Sequence, residues 1–441
     1  MATYNSGQVQ SGTPGTSHTD FHSRRLFDFS DRVAELSPDE SPFFVYLSKV
    51  AKVPTSDSQF RFLEDRTKIA MTDRTFTTSS NLGAIDPDTT DTMTVSSSPW
   101  LIKGMVIMVS AAHSGAGAGS NSATCVITAV NSATEIEVRW LRESSVAVSI
   151  DGSGTAVNCQ VIGTAYAEGS GAPDVFSQEL DNDYGFTQIF KTACEMSNTA
   201  RATVYRGYSD EWSRIWNLKL REHKIDIERA MLFGQRAQVG GVNYTEGVVG
   251  HIIAEGAAPV ADTTQLSYSE GKAYHKSIAS GSMTYDNFLS DLEVVFDPAR
   301  GGSSSKLALC SLPVISLFNK LGDGAFVDAS MGHSNNPYSY TMDSSKNAFG
   351  HKVMKIETVH GDLSLVKEPL FRGLSSTFMA LVDLDHVSYR PLVGNGVNRD
   401  TAITTNVQQA DEDLRKDLIL TEAGLEITLP ETHALFNIEG A

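Results

Sequence analysis

Three short segments carry side chains that could do chemistry, and none of them is a complete site. Gly115-Ala-Gly-Ala-Gly119 has closely spaced glycines but lacks the lysine and the spacing of a phosphate-binding loop. Asp86-Pro-Asp-Thr-Thr-Asp91 offers three carboxylates without the glycine and the distal glutamate of a calcium loop. His18 and His22 supply only two imidazoles. We interpret the first two as exposed loops and expect no metal and no cofactor.

The sequence does not indicate a nucleophilic catalytic centre. Ser282 and Ser311 stand beside scattered histidines such as His275 and His360, in a chain rich in serine and without a Gly-x-Ser-x-Gly turn. Carboxylates are frequent throughout an acidic chain, so no pair is singled out. We therefore predict that the protein is not an enzyme.

The four cysteines are widely separated, and no C-x-x-C pair is present. We interpret them as buried thiols of a protein from a reducing compartment. A disulfide between Cys125 and Cys159, which fall in one predicted module, stays open. The full set is Cys125, Cys159, Cys194 and Cys310.

Charge and composition narrow the class of protein. The 35 basic and 53 acidic residues give a net charge of −18, which disfavours sequence-independent DNA binding through phosphate contacts. The N-terminus lacks the features of a signal peptide, and no apolar run is long enough to span a bilayer. We expect a protein made in the cytosol, with a hydrophobic content of 41% that supports real cores.

Residues 1–50 are predicted to form an arm. The first 20 residues are rich in Ser, Thr, Gly and Gln and cannot bury enough apolar surface to order themselves. Aromatic residues follow without a core of their own, so we expect them to pack on a neighbouring subunit. They include Phe21, Phe27, Phe29, Phe43 and Phe44.

An extended loop and a β module are predicted next. Phe60–Ile69 and Asp73–Thr78 alternate weakly and indicate the strands of an exposed, hairpin-like loop that would lie across a neighbour. Ser97–Thr164 is nearly free of charge and contains short β-like runs separated by turns. We interpret it as an inserted all-β sandwich or barrel.

Asn198–Gly234 is the strongest helix pattern in the chain. Apolar residues recur at spacings of four or seven and predict one buried stripe, with a possible kink at Gly207 and an end at Gly234. Trp212 and Trp216 are interpreted as core residues of that stripe. The stripe is Tyr208, Trp212, Trp216, Leu220, Ile227 and Met231.

The second half of the chain predicts a mixed lobe followed by returning strands. Near the end, Leu425, Ile427 and Leu429 fall on one face of a strand, Glu426 on the other, and Pro430 ends it. The other predicted elements are helices at Tyr285–Phe296 and Pro313–Leu321 and strands at Lys306–Cys310, Lys352–Leu365 and Phe378–Tyr389.

Four segments carry a family resemblance, weakly in Phe60–Thr78 and Tyr166–Gly171 and most specifically in two others. Arg221–Gly234 is similar to the end of the spine helix, and Arg415–Ala434 resembles the C-terminal signature, of tailed-bacteriophage major capsid proteins with the Hong Kong 97-type (HK97-like) fold. The resemblance implies an α+β subunit. Its implied parts are an arm (1–50), an E-loop with flanks (51–96 and 165–192), an inserted β module (97–164), a peripheral domain with a spine helix (193–240 and 395–441) and an axial domain (241–394).

The same resemblance implies a function. The subunit would assemble into hexamers and pentamers of an icosahedral shell in the host cytoplasm, enclosing double-stranded DNA without reading its sequence. Portal and scaffolding proteins, and a decoration protein, would be its other partners. The residues expected to contact neighbouring subunits are Phe21, Phe27, Phe29, Phe43, Phe44, Arg61, Arg66, Lys68 and Arg74.

One alternative belongs to another class of protein. A surface or decoration protein could bind glycans through the β module, which would require a secretion signal and exposed aromatic platforms. Trp100 and Trp140 are the candidates for such platforms. Arg24 and Arg25 in the arm could touch nucleic acid or form salt bridges between subunits.

Overall fold

The structure is a computed structural model, and it describes most of the chain from residue 43 onward. Predictions that fall on other residues, including Gly207 and Tyr208, lie outside the described residues. The described ranges are 43–45, 47, 52–65, 74–82, 89–96, 100–110, 122–141, 150–151, 157–175, 179–205, 210–256, 260–261, 273–279, 283–318, 342–348 and 351–439.

The N-terminal half of the chain is mainly β structure. Its strands are β1 (Gln59–Glu64), β2 (Thr75–Thr78), β3 (Asn81–Leu82), β4 (Thr90–Thr94), β5 (Met105–Ser110), β6 (Ser122–Ser132), β7 (Glu135–Trp140), β8 (Ile150–Asp151), β9 (Val157–Thr164), β10 (Asp181–Phe186) and β11 (Gln188–Ser197).

Helices and strands are mixed in the C-terminal half. The helices are α1 (Asn198–Ala202), α2 (Glu211–Phe233), α3 (Val248–Glu255) and α4 (Tyr285–Val295), with a further helical stretch at 312–318. The strands are β12 (Ala237–Val239), β13 (Val242–Tyr244), β14 (Val260–Ala261), β15 (Tyr274–Ile278), β16 (Ser305–Cys310), β17 (Met342–Ala348), β18 (His351–Glu357), β19 (Asp362–Lys367), β20 (Phe378–Val382), β21 (Val387–Pro391), β22 (Val393–Gly394), β23 (Val397–Asn398), β24 (Ala402–Thr404), β25 (Leu414–Ile427) and β26 (Ala434–Ile438).

The β module is a closed six-stranded barrel. Its strand order is β2-β9-β5-β6-β7-β4, and the backbone N–H of Ser96 donates to Thr77 O at 2.8 Å, which joins the two ends of the sheet. Closure removes the exposed edges that an open sheet of this size would have. Its interior is apolar and is centred on Ile107, Val138 and Trp140, all at most 1% exposed.

The barrel begins earlier in the chain than predicted. Strands β2 and β4 lie before residue 97, in the segment assigned to the E-loop, yet they complete the barrel and place Phe76 and Met93 in its core. The predicted hairpin is also wrong, because β1 pairs with β10 and β2 pairs with β9. Both correct partners are about 80 to 120 residues distant, so local alternation could not identify them.

The peripheral part is a small antiparallel sheet with one long helix on it. Its strand order is β11-β25-β21, with β24 beside β25, and α2 packs against β11 and β25. His223 of α2 contacts Thr192 on β11 through Nδ1 (2.9 Å) and Thr421 on β25 through Nε2 (2.8 Å). These two contacts hold the helix across both strands. Burial lowers the pKa of His223, so its imidazole stays neutral.

The axial part is an eight-stranded mixed sheet, ordered β14-β15-β26-β20-β16-β19-β18-β17. Side chains alternate between its two faces, and both faces are covered. On β16, Leu307 and Leu309 enter the core shared with α2 and α3, whereas Ala308 and Cys310 enter the core shared with α4. This explains why Lys306–Cys310 shows an unbroken buried pattern instead of an alternating one.

Two domain boundaries differ from the prediction. The last strand, β26, is central in the axial sheet between β15 and β20, although residues 395–441 were assigned to the peripheral domain. Conversely, β21 pairs with β25 in the peripheral sheet, although residues 241–394 were assigned to the axial domain. The chain therefore crosses between the two sheets twice at its C-terminal end.

Several predicted elements are shorter than expected. The helix predicted from Asn198 is divided into α1 and α2, and α2 ends at Gly234 as predicted. Lys352–Leu365 is divided by a turn at 358–361, and Phe378–Tyr389 by a 3-10 turn at Leu384–His386. The helices at 285–295 and 312–318 and the strand at 305–310 match their predictions.

The C-terminal strand ends two residues earlier than expected. β25 stops at Ile427, and Leu429 adopts a left-handed conformation with φ 48° before the turn that Pro430 begins. Glu426, predicted on the solvent side, is only 9% exposed. Its carboxylate pairs with Arg390 of β21 at 2.5 Å, and this partner is what permits its burial.

Candidate assembly surface

The strands β1 and β10 form a two-stranded ribbon that lies on the peripheral sheet. The register pairs Arg61 with Tyr184, so these two side chains share one face. The opposite face carries Phe60, which contacts the backbone near Gly424 of β25, and Glu64, which accepts the N–H of Leu429 at 2.7 Å. These contacts anchor the ribbon through its inner face.

The outer face of the ribbon is exposed and partly apolar. Leu63 is 64% and Tyr184 is 40% exposed, and Arg61 between them is exposed as well. Arg236 stacks on the Tyr184 ring at 4.6 Å and donates to Asp183 Oδ1 at 2.7 Å. A two-stranded ribbon is marginally stable alone, so these anchors keep its outer face in place.

Further apolar residues are exposed beside the ribbon. The hairpin of β12 and β13 exposes Val239, Val242 and Tyr244, and it contacts β11, on which Ile189 is 48% exposed. Single exposed apolar residues are ordinary, but a group on neighbouring strands is typical of an interaction surface. We call the outer ribbon face together with this group the ribbon surface. It comprises Arg61, Leu63, Tyr184, Ile189, Val239, Val242 and Tyr244.

The predicted contact residues Phe43 and Phe44 pack in or against the core of their own chain. Phe43 is fully buried in the core of its own chain with Leu47, Ile227 and Met231, so its side chain is not exposed toward a neighbouring subunit. Its aromatic ring has a complete set of partners within the subunit. Phe44 is half-buried and meets Tyr389 edge-on at a ring distance of 5.6 Å.

Of the other residues predicted to contact a neighbouring subunit, Arg61 and Arg74 lie in the described part of the chain. Arg61 lies on the ribbon surface, whereas Arg74 is half-buried at the start of the barrel, where its carbonyl accepts the N–H of Val161. These two arginines therefore belong to different parts of the subunit. The residues outside the described ranges are Phe21, Phe27, Phe29, Arg66 and Lys68.

Trp212 and Trp216 are not core residues, contrary to the prediction. Both are half-buried and line a cleft of about 280 Å³ with Ile403 and Arg415. The Arg415 guanidinium lies 4.6 Å above the Trp212 ring. The buried part of α2 begins only at His223.

The two tryptophans considered as glycan-binding platforms, Trp100 and Trp140, make their contacts within the barrel. Trp140 is 1% exposed, and its indole N–H donates to Asp91 Oδ2 at 2.7 Å. This bond also assigns a structural role to one carboxylate of the candidate calcium loop. Trp100 packs on the barrel core and contacts Phe76 edge-on.

The remaining candidate chemical groups have structural roles where they are described. Cys125 and Cys159 are free, buried thiols in the barrel core, and burial raises the pKa of Cys159 to about 12. Ser311 is fully buried.

The described residues contain no group of three or more His, Cys, Asp or Glu side chains arranged to hold a metal ion. None of the helices in the described ranges is long and apolar enough to cross a membrane.

Sequence reasoning missed the buried polar residues that hold the surface in place. Glu64 anchors the ribbon, and Glu228 accepts the backbone N–H groups of Phe43 (2.7 Å) and Phe44 (3.3 Å). Glu368 is a second buried glutamate, and its carboxylate accepts the backbone N–H of Leu370 at 3.1 Å. Charged residues on an amphipathic pattern are normally assigned to solvent, so nothing in the sequence marked these glutamates.

The profile of one protein family, described as SU10 major capsid protein, matches residues 8–439 of the chain. The chain belongs to this family. It is therefore a structural subunit of a phage capsid, and the predicted resemblance is confirmed. The α+β class is confirmed as well, and the ribbon, inserted barrel, long helix, mixed lobe and returning strands occur in the predicted order.

Solved structures give weaker similarities over nearly the whole length of this capsid protein. The capsid asymmetric unit of cyanophage A-1(L) is 10% identical with a TM-score of 0.48, covering 94% of this chain and 98% of that one. A chain of Microbacterium phage Oxtober96 is 10% identical with a TM-score of 0.42, at coverages of 96% and 99%. The capsid of a native GTA particle is 9% identical with a TM-score of 0.42, at coverages of 95% and 97%.

The family match alone carries the identification, because these TM-scores lie below 0.5. The comparison with curated proteins gave no match. Since the matched family consists of structural proteins, this capsid protein acts by assembling with other copies of itself, and the ribbon surface is a candidate for that contact.

Proposed function

We propose that copies of this chain assemble through the ribbon surface into the hexamers and pentamers of an icosahedral shell. The shell would enclose the double-stranded DNA of a tailed phage, without catalysis and without sequence-specific contacts. The single observation that carries this proposal is the family match over residues 8–439. The net charge of −18 fits a container that holds DNA without binding it tightly.

In the proposed assembly, the ribbon of β1 and β10 is the E-loop. Its inner face is anchored through Phe60 and Glu64, so its outer residues Arg61, Leu63 and Tyr184 are presented to a second copy. Burial of Leu63 and Tyr184 in each of many copies stabilises a shell even though each contact contributes little. Residues 1–50, with Phe21, Phe27 and Phe29, serve as the arm, and Arg66 and Lys68 extend the E-loop contact.

Assembly in the host cytoplasm, on a scaffolding protein and around a portal, completes the proposed pathway. The six-stranded barrel projects outward, where it either reinforces contacts between capsomers or offers a surface to a decoration protein. Deleting residues 75–164 tests this role. Particles of unchanged stability and unchanged outer profile would contradict it.

Electron microscopy of the purified chain, with light scattering on the same sample, tests the central proposal. We expect closed shells, rings of five or six, or curved sheets. Leu63→Asp should prevent them by placing a charge on the ribbon surface, while leaving a folded subunit of 47.6 kDa. Ile162→Asp is the matched control, since Ile162 is 56% exposed on the barrel.

Three results decide the outcome. Assembly of the control but not of Leu63→Asp supports the ribbon surface as the contact. Normal assembly of both variants contradicts the role of the ribbon surface. A wild-type chain that stays monomeric even with its scaffolding protein contradicts the self-assembly proposal.

A further inference from the structure

A groove of about 920 Å³ lies where the C-terminal end of α2 meets α3 and the segment 370–378. Its walls carry apolar side chains that are open to solvent. Phe233 and Ile253 are exposed, and Leu374 is completely exposed. Apolar side chains grouped in this way are typical of a surface that binds another chain.

Three arginines line the same groove, on a chain whose net charge is −18. Arg372 is exposed. Arg229 pairs with Asp226 at 3.2 Å, but both side chains of this pair are largely exposed. Such a surface pair contributes little free energy, so it leaves Arg229 available to a partner. We call this surface the arginine groove.

The acidic residues of the arginine groove are fewer. Glu246 lies 3.8 Å from Arg236, whose other carboxylate partner is Asp183 at 2.7 Å, so the charge of Arg236 is neutralised within the chain. In the rest of the groove, Arg229 and Arg372 outnumber Glu255. That part is therefore positive, and it fits an acidic segment that also carries apolar side chains.

A segment of the same chain has this chemistry. Residues 167–175 and 179–180, which lie between the barrel and the ribbon, are all exposed and form neither helix nor strand. They contain no Lys or Arg, and their acidic residues are Glu168, Asp174 and Glu179. Val175 is 90% and Leu180 is 50% exposed. We call these residues the acidic strap.

The acidic strap does not occupy the groove of its own chain. The strap runs into β10, whose Asp183 pairs with Arg236 of the groove, yet strap and groove both stay exposed. Ordering an exposed segment costs conformational entropy that only packing can offset. A second copy of the chain can supply that packing, because it presents the same positive, apolar groove.

We propose that the acidic strap of one copy docks in the arginine groove of a second copy. This inference rests on the proposed assembly of copies and adds a contact beyond the ribbon surface. Arg229 and Arg372 pair with carboxylates of the strap, while Val175 and Leu180 contact the apolar wall. Because strap and groove are different surfaces, the contact is head-to-tail, which is the kind that closes rings.

Charge reversal in the full-length chain tests this contact. The groove variant is Arg229→Glu with Arg372→Glu, and the strap variant is Asp174→Lys with Glu179→Lys, all at exposed positions. Electron microscopy and light scattering are used under conditions in which the wild type assembles. Each variant alone should give at least about tenfold less assembled protein, because like charges then meet across the contact.

A control variant separates this effect from a change in net charge. Lys103→Glu with Arg139→Glu, at two exposed positions of the barrel, changes the net charge as much as the groove variant does. It should assemble as the wild type does.

Mixing the groove and strap variants in equal amounts makes the charges complementary again. A reversed groove then meets a reversed strap, and an unchanged groove meets an unchanged strap, so the two variants alternate around a ring. An alternating ring has an even number of copies. The mixture should therefore recover rings of six but not of five, whereas one chain with all four substitutions should recover both.

The outcomes separate this contact from the proposed function. If the wild type assembles and either the groove or the strap variant assembles normally, the contact is overturned and the proposed assembly stands. Losses that neither the mixture nor the fourfold variant restores would also overturn the contact, since charge pairing would not explain them. A wild-type chain that stays monomeric even with its scaffolding protein contradicts the proposed function and this contact together.

Discussion

The Glu64 carboxylate on β1 accepts a hydrogen bond of 2.7 Å from the backbone N–H of Leu429, 365 residues later in the chain. Glu64 is 6% exposed, and Leu429 holds a left-handed backbone with φ 48° and ψ 72°. An amide in that conformation cannot join the β25 ladder, so it needs a partner from elsewhere. The E-loop ribbon and the end of the C-terminal strand therefore stabilise each other.

Replacing Glu64 tests that relationship. Glu64→Ala leaves the Leu429 N–H without its acceptor, and we expect the free energy of unfolding to fall by about 1 to 3 kcal/mol. Glu64→Gln retains an acceptor oxygen and should recover most of the loss. Urea denaturation measures the effect, with exposed Glu135→Ala as the control. Equal stability of Glu64→Ala and the control would contradict the anchoring role.

Lys306 is expected to be the most costly cation to remove. It is fully buried beside Asp383 (3.4 Å) and donates to Thr432 O at 2.8 Å. Lys306→Met removes the cation from beside a buried carboxylate and should cost about 3 to 5 kcal/mol.

Lys355→Met is the matched control for that experiment. Lys355 is 41% exposed in its pairs with Glu357 and Asp362, so its removal should cost at most about 1 kcal/mol. Thermal and urea unfolding measure both variants. A smaller loss for Lys306→Met than for the control would show that the axial core tolerates Asp383 without its cation.

His433 should make the subunit sensitive to acid. Burial, followed by the nearby Lys306, lowers the pKa of His433 to about 3, from an ordinary value near 6.5. The unfolded chain therefore binds a proton between these values that the folded chain does not. Stability from this group is complete above pH 6.5 and is lost as the pH falls toward 3, at about 1.4 kcal/mol per pH unit.

Urea denaturation between pH 7 and pH 4 measures this slope. His433→Gln removes the titrating group. The slope of its free energy of unfolding against pH should therefore be smaller than that of the wild type, by about the amount that one bound proton contributes. His360→Gln, in the turn after β18, should keep the wild-type slope. Parallel profiles for wild type and His433→Gln would show that His433 is protonated in the folded chain.

The two ends of α2 should respond differently to truncation. Trp212→Ala removes a half-buried ring whose main partner is Arg415, and should cost about 1 kcal/mol. Met231→Ala removes a fully buried side chain and should cost about 2 to 5 kcal/mol. Thermal unfolding compares them. A larger loss for Trp212→Ala would restore the interpretation of that residue as core.

Elements with strong local patterns were predictable. The helix that ends at Gly234, the helix at 285–295 and the strand at 305–310 follow from periodicity and capping residues, which act within a few turns of chain. The family resemblance also lay in contiguous segments, Arg221–Gly234 and Arg415–Ala434. Local order along the chain therefore carried both the class of fold and the function.

Strand partners were not predictable in the same way. β1 and β2 show similar weak alternation, yet one pairs with β10 on the peripheral sheet and the other closes the barrel with β9. Alternation indicates that a strand has two different faces, but it does not specify which distant strand it pairs with. The location of β26 in the axial sheet was undetermined for the same reason.

The sequence by itself determined the composition, the order of the elements and the family, because these properties depend on contiguous residues. Only the tertiary structure decided which residues are available to a neighbour. Phe43 lies in its own core and Trp212 beside an open cleft, although both are aromatic residues in apolar patterns. Burial of Glu64, Glu228 and Glu368 likewise depends on partners far along the chain, since a buried charge is tolerated only where folding brings a donor to it.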